Sequence, residues 1–237
     1  MDAFDVVLLH LLNQFARRSW LFDETVGRLN SPVFQGALFI AVLWWIWFRA
    51  GESQREHRET VLSGLTTSFA ALIVARGLAD LLPFRTRPVD LPILHVRVPY
   101  GYDPSTLIHW SSFPSDHAVF YFALATCIFF VSQKIGSAAY IYAFFVICLP
   151  LIYCGQHFPT DVLVGSIIGI VLASLSLNVK LRRLIAKRPL RWLEKSPGTF
   201  YAVFFLISFL FSTQFDPVRS LVYSAWKGLH EYTRALH

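Results

Sequence analysis

Two histidines carry the chemistry that this sequence offers. The first closes the stretch Ser111-Ser112-Phe113-Pro114-Ser115-Asp116-His117, and the second sits in Gly155-Gln156-His157-Phe158-Pro159-Thr160-Asp161. Each histidine stands at the mouth of an apolar run. Ionisable groups are costly to keep at or within a membrane, so such a pair marks a functional site by default. His157 and Asp161 are four residues apart around a helix start, a spacing at which a carboxylate can bond the imidazole and leave its other nitrogen as a nucleophile. His117, from another segment, can serve as general acid toward a leaving group. Arg85 and Arg87 offer guanidinium forks suited to phosphate oxygens. Backbone amides near Ser115 and Asp116, at a helix N-terminus, add to an anion site. Together these residues describe phosphoryl transfer through a phosphohistidine, a scheme that requires neither a metal nor another cofactor.

The elements that must bring them together are apolar. Of 237 residues, 55% are hydrophobic and 15% charged, whereas a soluble domain usually carries about 25% charged residues. Twenty-two Phe and seven Trp fit lipid contact and interfacial belts. The expected class is all-α: a polytopic membrane protein of six transmembrane helices, with amphipathic interfacial helices at both termini. The spans are expected at roughly 33–49, 60–82, 116–132, 137–153, 159–178 and 198–213. One domain covers 1–237, with 1–31 an interfacial N-terminal segment and 214–237 a C-terminal amphipathic tail. Residues 84–113 read as a long outside loop, of a length that is unusual unless it has a role.

The net charge of +6 is gathered largely in Lys180, Arg182, Arg183, Lys187, Arg188, Arg191 and Lys195. That clustering reads as a cytoplasmic loop and a topology signal, and not as a nucleic-acid surface. With it inside, His117, His157 and the Arg85–Arg87 stretch fall on one outer face. Cys127, Cys148 and Cys154 have no metal or redox spacing. The opening Met1-Asp2-Ala3-Phe4-Asp5 has acids where a signal peptide would have bases.

Arg87-Pro88, then Pro114-Ser115-Asp116-His117, then Gly155-x-His157-x-Pro159-x-Asp161 resembles the type-2 phosphatidic acid phosphatase superfamily, the lipid phosphate phosphatases. Within it, the Pro-Ser-Asp-His form and the six-span layout resemble the bacterial undecaprenyl pyrophosphate phosphatases. The resemblance implies a six-helix fold with His157 as nucleophile, Asp161 as its orienting partner, His117 as acid, and Arg87 and Ser115 as phosphate ligands. It implies a lipid phosphate or polyprenyl pyrophosphate substrate, membrane lipids as surroundings, and a bacterial inner-membrane location with the site facing outward. Two family cations are absent. The position of a lysine is held by Asp80, and that of an arginine by Leu151. Arg76, one turn before Asp80, is the expected partner for that acid and a candidate substrate ligand; Arg85, Arg97 and His109 are further sources of charge. The altered set keeps two alternatives open: a transferase that passes the group to an acceptor alcohol, and an inactive lipid-binding relative.

Overall fold

The computed structural model describes residues 2–29, 31–104 and 110–213. Among these residues the chain is all helical, with no strand. The helices are α1 (Ala3–Asn13), α2 (Trp20–Leu29), α3 (Pro32–Phe48), α4 (Gln54–Leu81), α5 (Asp116–Val131), α6 (Gln133–Tyr153), α7 (Pro159–Ser176), α8 (Val179–Lys195) and α9 (Pro197–Ser212). Three of them, α4, α6 and α7, are long and apolar enough to cross a membrane, and a fourth span arises if α2 and the bent continuation Phe34–Phe48, 41° apart, count as one. The apolar helices α5 and α9 have 16 residues each, about 24 Å of rise, which is shorter than a typical hydrocarbon core of roughly 30 Å.

Helix α5 lies at the centre, packed on α4, α6 and α7. Its contact with α7 is close because small residues face it. A Cβ on Gly165 would fall 2.6 Å from the Ser115 carbonyl oxygen, and one on Gly169 would fall 2.3 Å from that of Val119. Small residues at such a spacing let backbones approach where lipid supplies no hydrophobic drive between helices. A larger apolar cluster joins α3, α4, α5 and α9, with Trp47, Phe120, Leu124 and Phe204 buried in it. Trp47 and Phe204 rings stand 4.7 Å apart.

Two segments depart from expectation. The basic stretch 180–195 is not a loop but helix α8, whose Ala186 and Leu190 are buried while most of its cations face outward. Arg182 is buried among them and donates to Glu56 at 2.8 Å. The N-terminal segment does not simply lie at an interface: α1 buries Asp5, Leu9 and Asn13 against the rest of the chain. The expected tail helix, 214–237, falls outside the described residues.

Within α6, Ala143–Cys148 is a π-helical stretch just ahead of Pro150. Proline cannot donate to the carbonyl four residues back and its ring crowds it, so the wider turn relieves the clash with Val146.

Candidate active site

The site is built from two helix starts and the loop between α4 and α5. Ser115 caps α5, its hydroxyl accepting from the Ala118 amide at 3.4 Å. The Ser115 amide donates to the Asp161 carbonyl at 3.1 Å, which ties the start of α5 to the first turn of α7. The turn after α6 closes at Gly155, whose φ of +71° and 2.8 Å clearance between an added Cβ and Val96 admit no side chain. Its carbonyl accepts from the Val89 amide at 2.9 Å and so fixes the long loop to the turn that carries His157.

This frame brings together the two histidines that the sequence marks. One ligand atom each of Asp116, His117 and His157 lies within 4.8 Å of the others. His157 is buried, and its Nδ1 lies 2.8 Å from the Ser112 carbonyl oxygen. A carbonyl only accepts, so Nδ1 carries the hydrogen and neutral His157 keeps its lone pair on Nε2. Arg87 is 4% exposed. It donates to the carbonyls of Gln156 at 2.8 Å and Trp110 at 3.2 Å, and its Nη1 lies 3.4 Å from that same Nε2. Burial pulls the Arg87 guanidinium below its ordinary pKa, and the Asp116 carboxylate opposes that pull. His117 Nδ1 is 3.9 Å from Asp116.

Several expected partners differ. Arg76 does not pair with Asp80, which is exposed one turn away; it pairs with Asp116 and lies 4.8 Å over the Trp110 ring. A tertiary contact to a buried carboxylate outcompetes a solvated pair on the same helix. Asp161 was expected to bond the imidazole directly. Its Oδ2 instead accepts from the Phe158 amide at 2.7 Å and stands 3.7 Å from His157 Nδ1, near the ring but beyond hydrogen-bond range. Arg85, expected as a phosphate ligand, is turned onto carboxylates. It bonds Asp161, donates to Asp5 at 2.6 Å and lies 4.3 Å over the Phe158 ring. Leu151 is buried, and its carbonyl takes the Gln156 amide at 2.9 Å. Arg97 is held against α1 by Asn13 and Gln14, and His109 lies outside the described residues.

The balance of charge around the histidines therefore rests on Arg87 and Arg76. The Asp116, His117 and His157 set has the ligand types of a cation site, yet Arg76 already occupies the Asp116 carboxylate and Arg87 faces His157 Nε2. Two guanidinium groups on those atoms suit an oxyanion better than a metal ion. Asp5 is the contributor that sequence reading missed. Its one legible signal was an acid inside the apolar pattern of α1.

The sequence profile of the PAP2 superfamily matches residues 60–185, just over half of the chain and all of the site except Asp5. Among curated proteins, undecaprenyl-diphosphatase BcrC of Bacillus subtilis (strain 168) is 28% identical over 137 residues, which is 58% of this chain and 65% of that protein. Bacitracin transport permease protein BcrC of Bacillus licheniformis is 35% identical over 63 residues, 27% of this chain and 30% of that one. The chain thus spans a little under two thirds of the first relative's length and less than a third of the second's. Among solved structures, LpxE of Aquifex aeolicus aligns with a TM-score of 0.53 at 26% identity, covering 74% of this chain and 96% of that one.

Proposed function

Because the chain belongs to the PAP2 superfamily, we propose that it is an integral-membrane phosphatase. Its substrate is a polyprenyl pyrophosphate, undecaprenyl foremost, or a related lipid phosphate. The observation that carries this reading is the meeting of His117, His157 and Asp116 within 4.8 Å, with Arg87 against His157 Nε2. The similarity to undecaprenyl-diphosphatase BcrC supports the choice of lipid.

In the proposed reaction, His157 Nε2 attacks phosphorus and the bond to the leaving oxygen breaks. His117 gives that oxygen its proton. Water then attacks phospho-His157, His117 takes a proton from it, and inorganic phosphate leaves. Arg87 and Arg76 hold the non-bridging oxygens, Ser115 donates its hydroxyl proton to one of them, and Arg76 keeps Asp116 from repelling the substrate. Such fixed positive groups in a dry site are usually the largest part of phosphoryl-transfer catalysis. In this reading Asp161 stabilises the positive ring that forms when Nε2 bonds phosphorus while Nδ1 keeps its hydrogen.

The layout proposed is six spans, α3 to α7 and α9, in a bacterial inner membrane with the histidines on the outer side. The short α5 and α9 fit through local thinning of the bilayer. Phosphate release by purified protein in detergent tests the function, with undecaprenyl pyrophosphate, undecaprenyl phosphate and phosphatidic acid as substrates. The expected result is release that is lost in His157→Ala, with acid-labile phosphoprotein trapped in His117→Ala. No release from any of the three lipids refutes the hydrolase, and product formed only with an added acceptor alcohol makes the protein a transferase.

A further inference from the structure

We propose that Asp5, on α1, is a positioning residue of the histidine site, dividing the Arg85 guanidinium between itself and Asp161 and so holding Asp161 under His157. This rests on the phosphatase reading for its kinetic expression.

Asp5 is 1% exposed, three residues into a helix whose neighbours Phe4 and Val7 face outward. A carboxylate buried there is costly unless hydrogen bonds and a cation compensate it. All of its printed partners belong to the site frame. Oδ1 accepts from the Thr160 amide at 2.9 Å, and Oδ2 accepts from the Thr160 hydroxyl and from Arg85 Nη2, both at 2.6 Å. Arg85 Nη1 in turn bonds Asp161 and the Thr160 hydroxyl. One guanidinium thus bridges two buried carboxylates, with the first turn of α7 pinned between them.

The count of charges matters. Two carboxylates share one guanidinium, so the trio keeps a net negative charge beneath the His157 ring. Without Asp5 the fork faces Asp161 alone and cancels it, and the ring loses the anion that stabilises it once Nε2 bonds phosphorus. Asn13 holds α1 in register for this contact. Its amide donates to the carbonyls of Arg97 and Tyr153, both at 2.9 Å, and its oxygen accepts from the Arg97 amide at 2.8 Å. Asp5 lies outside the stretch matched by the family profile, so this support comes from the helix that precedes it.

The test compares Asp5→Asn, Arg85→Gln and their double variant for phosphate release, with orthovanadate binding followed by calorimetry. Asp5→Asn is expected to lower kcat about tenfold, the lower end of what losing a partner that orients a reacting group costs, with KM within twofold. The double variant is expected to be no slower than Arg85→Gln, because Asp5 acts only through Arg85. Arg85→Lys keeps the charge but cannot span both carboxylates, so it shows the same tenfold loss. Asp23→Asn removes the other N-terminal tether, to the Arg17 and Tyr100 amides and the Tyr153 hydroxyl. It is expected to lower Tm and leave kcat within twofold. Multiplying losses in the double variant, or Arg85→Lys at wild-type kcat, overturns the proposal. An equal kcat loss in Asp23→Asn makes α1 a purely structural clamp and overturns it as well. Vanadate, which mimics pentavalent phosphorus, separates the two readings. If no lipid is hydrolysed but vanadate binding depends on His157 and weakens about tenfold in Asp5→Asn, the phosphatase reading falls and the role of Asp5 stands. If lipid is hydrolysed equally by Asp5→Asn and wild type, the reverse holds.

Discussion

Replacing Arg87 is the sharpest perturbation of the proposed site. Its guanidinium is 3.4 Å from His157 Nε2 and is held by two carbonyls, so it cannot swing away when substrate arrives. A phosphorus bonded to Nε2 places its oxyanions roughly 4 Å from this charge. A full charge pair at that distance contributes about 4 kcal/mol at an effective dielectric of 20. The charge on phosphorus is spread over several oxygens and shared with Arg76, so about half of that is a fair lower figure. Arg87→Ala should therefore cost about 2 to 4 kcal/mol of transition-state binding, roughly 30- to 1,000-fold in kcat/KM. The carbonyls of Gln156 and Trp110 also lose their donor, at about 1 to 3 kcal/mol for each one left unpaired, so Tm should fall by several degrees. Arg87→Lys keeps the charge without the fork and should recover part of the activity. Because Arg87 is buried, the loss should persist in high salt. The assay is initial-rate phosphate release in detergent over a range of lipid concentrations, with Tm measured on the same preparations. Arg87→Ala within threefold of wild type at an unchanged Tm would refute the assignment of Arg87 to the phosphate.

Further outcomes follow from other residues. Gly169→Ala drives a Cβ to 2.3 Å from the Val119 carbonyl oxygen. It should separate α5 from α7, cost about 1 to 3 kcal/mol by overpacking, and lower Tm and kcat together. Asp80→Lys restores a cation at an exposed position one turn from Arg76. It should raise kcat/KM a few-fold at low ionic strength, with the gain vanishing in high salt. Arg182→Ala leaves the buried Glu59 without its 3.7 Å partner on α8. It should lower Tm while phosphate release at 25 °C stays within twofold, since this pair lies at the far end of α4 from Arg76.

The two histidines were legible because each opens an apolar run within a short, specific motif, and the helix start that positions them is local information. Arg87 followed from the same motif. The partner of Arg76 was not legible. Asp80 is close in sequence, but Asp116, forty residues on, reaches the guanidinium only after α4 packs on α5. Asp161 was placed correctly beside His157, yet the backbone oxygen of Ser112 takes the imidazole hydrogen, and no side-chain pattern encodes a carbonyl's direction. Helix α8 was hidden by its own charges, which read as a topology signal and drew attention from Ala186 and Leu190 at helical spacing. Asp5 was noted only as an acid unsuited to a signal peptide. Its contact spans 155 residues to Thr160, and such pairings are settled by the fold and not by periodicity.

The π-helical turn of α6 also sets a tolerance to insertion and deletion. An α-helix advances about 100° per residue, and the wide turn at Ala143–Cys148 absorbs one residue more than an α-helical turn would. Deleting a single residue there would re-form the α pattern and turn everything after it by about that angle. Leu151 would leave the core and His157 would swing away from His117, although no residue of the site had been touched. The catalytic phase of this helix is thus held by a length in a stretch with no polar side chain, and related sequences should vary there in composition more freely than in residue number.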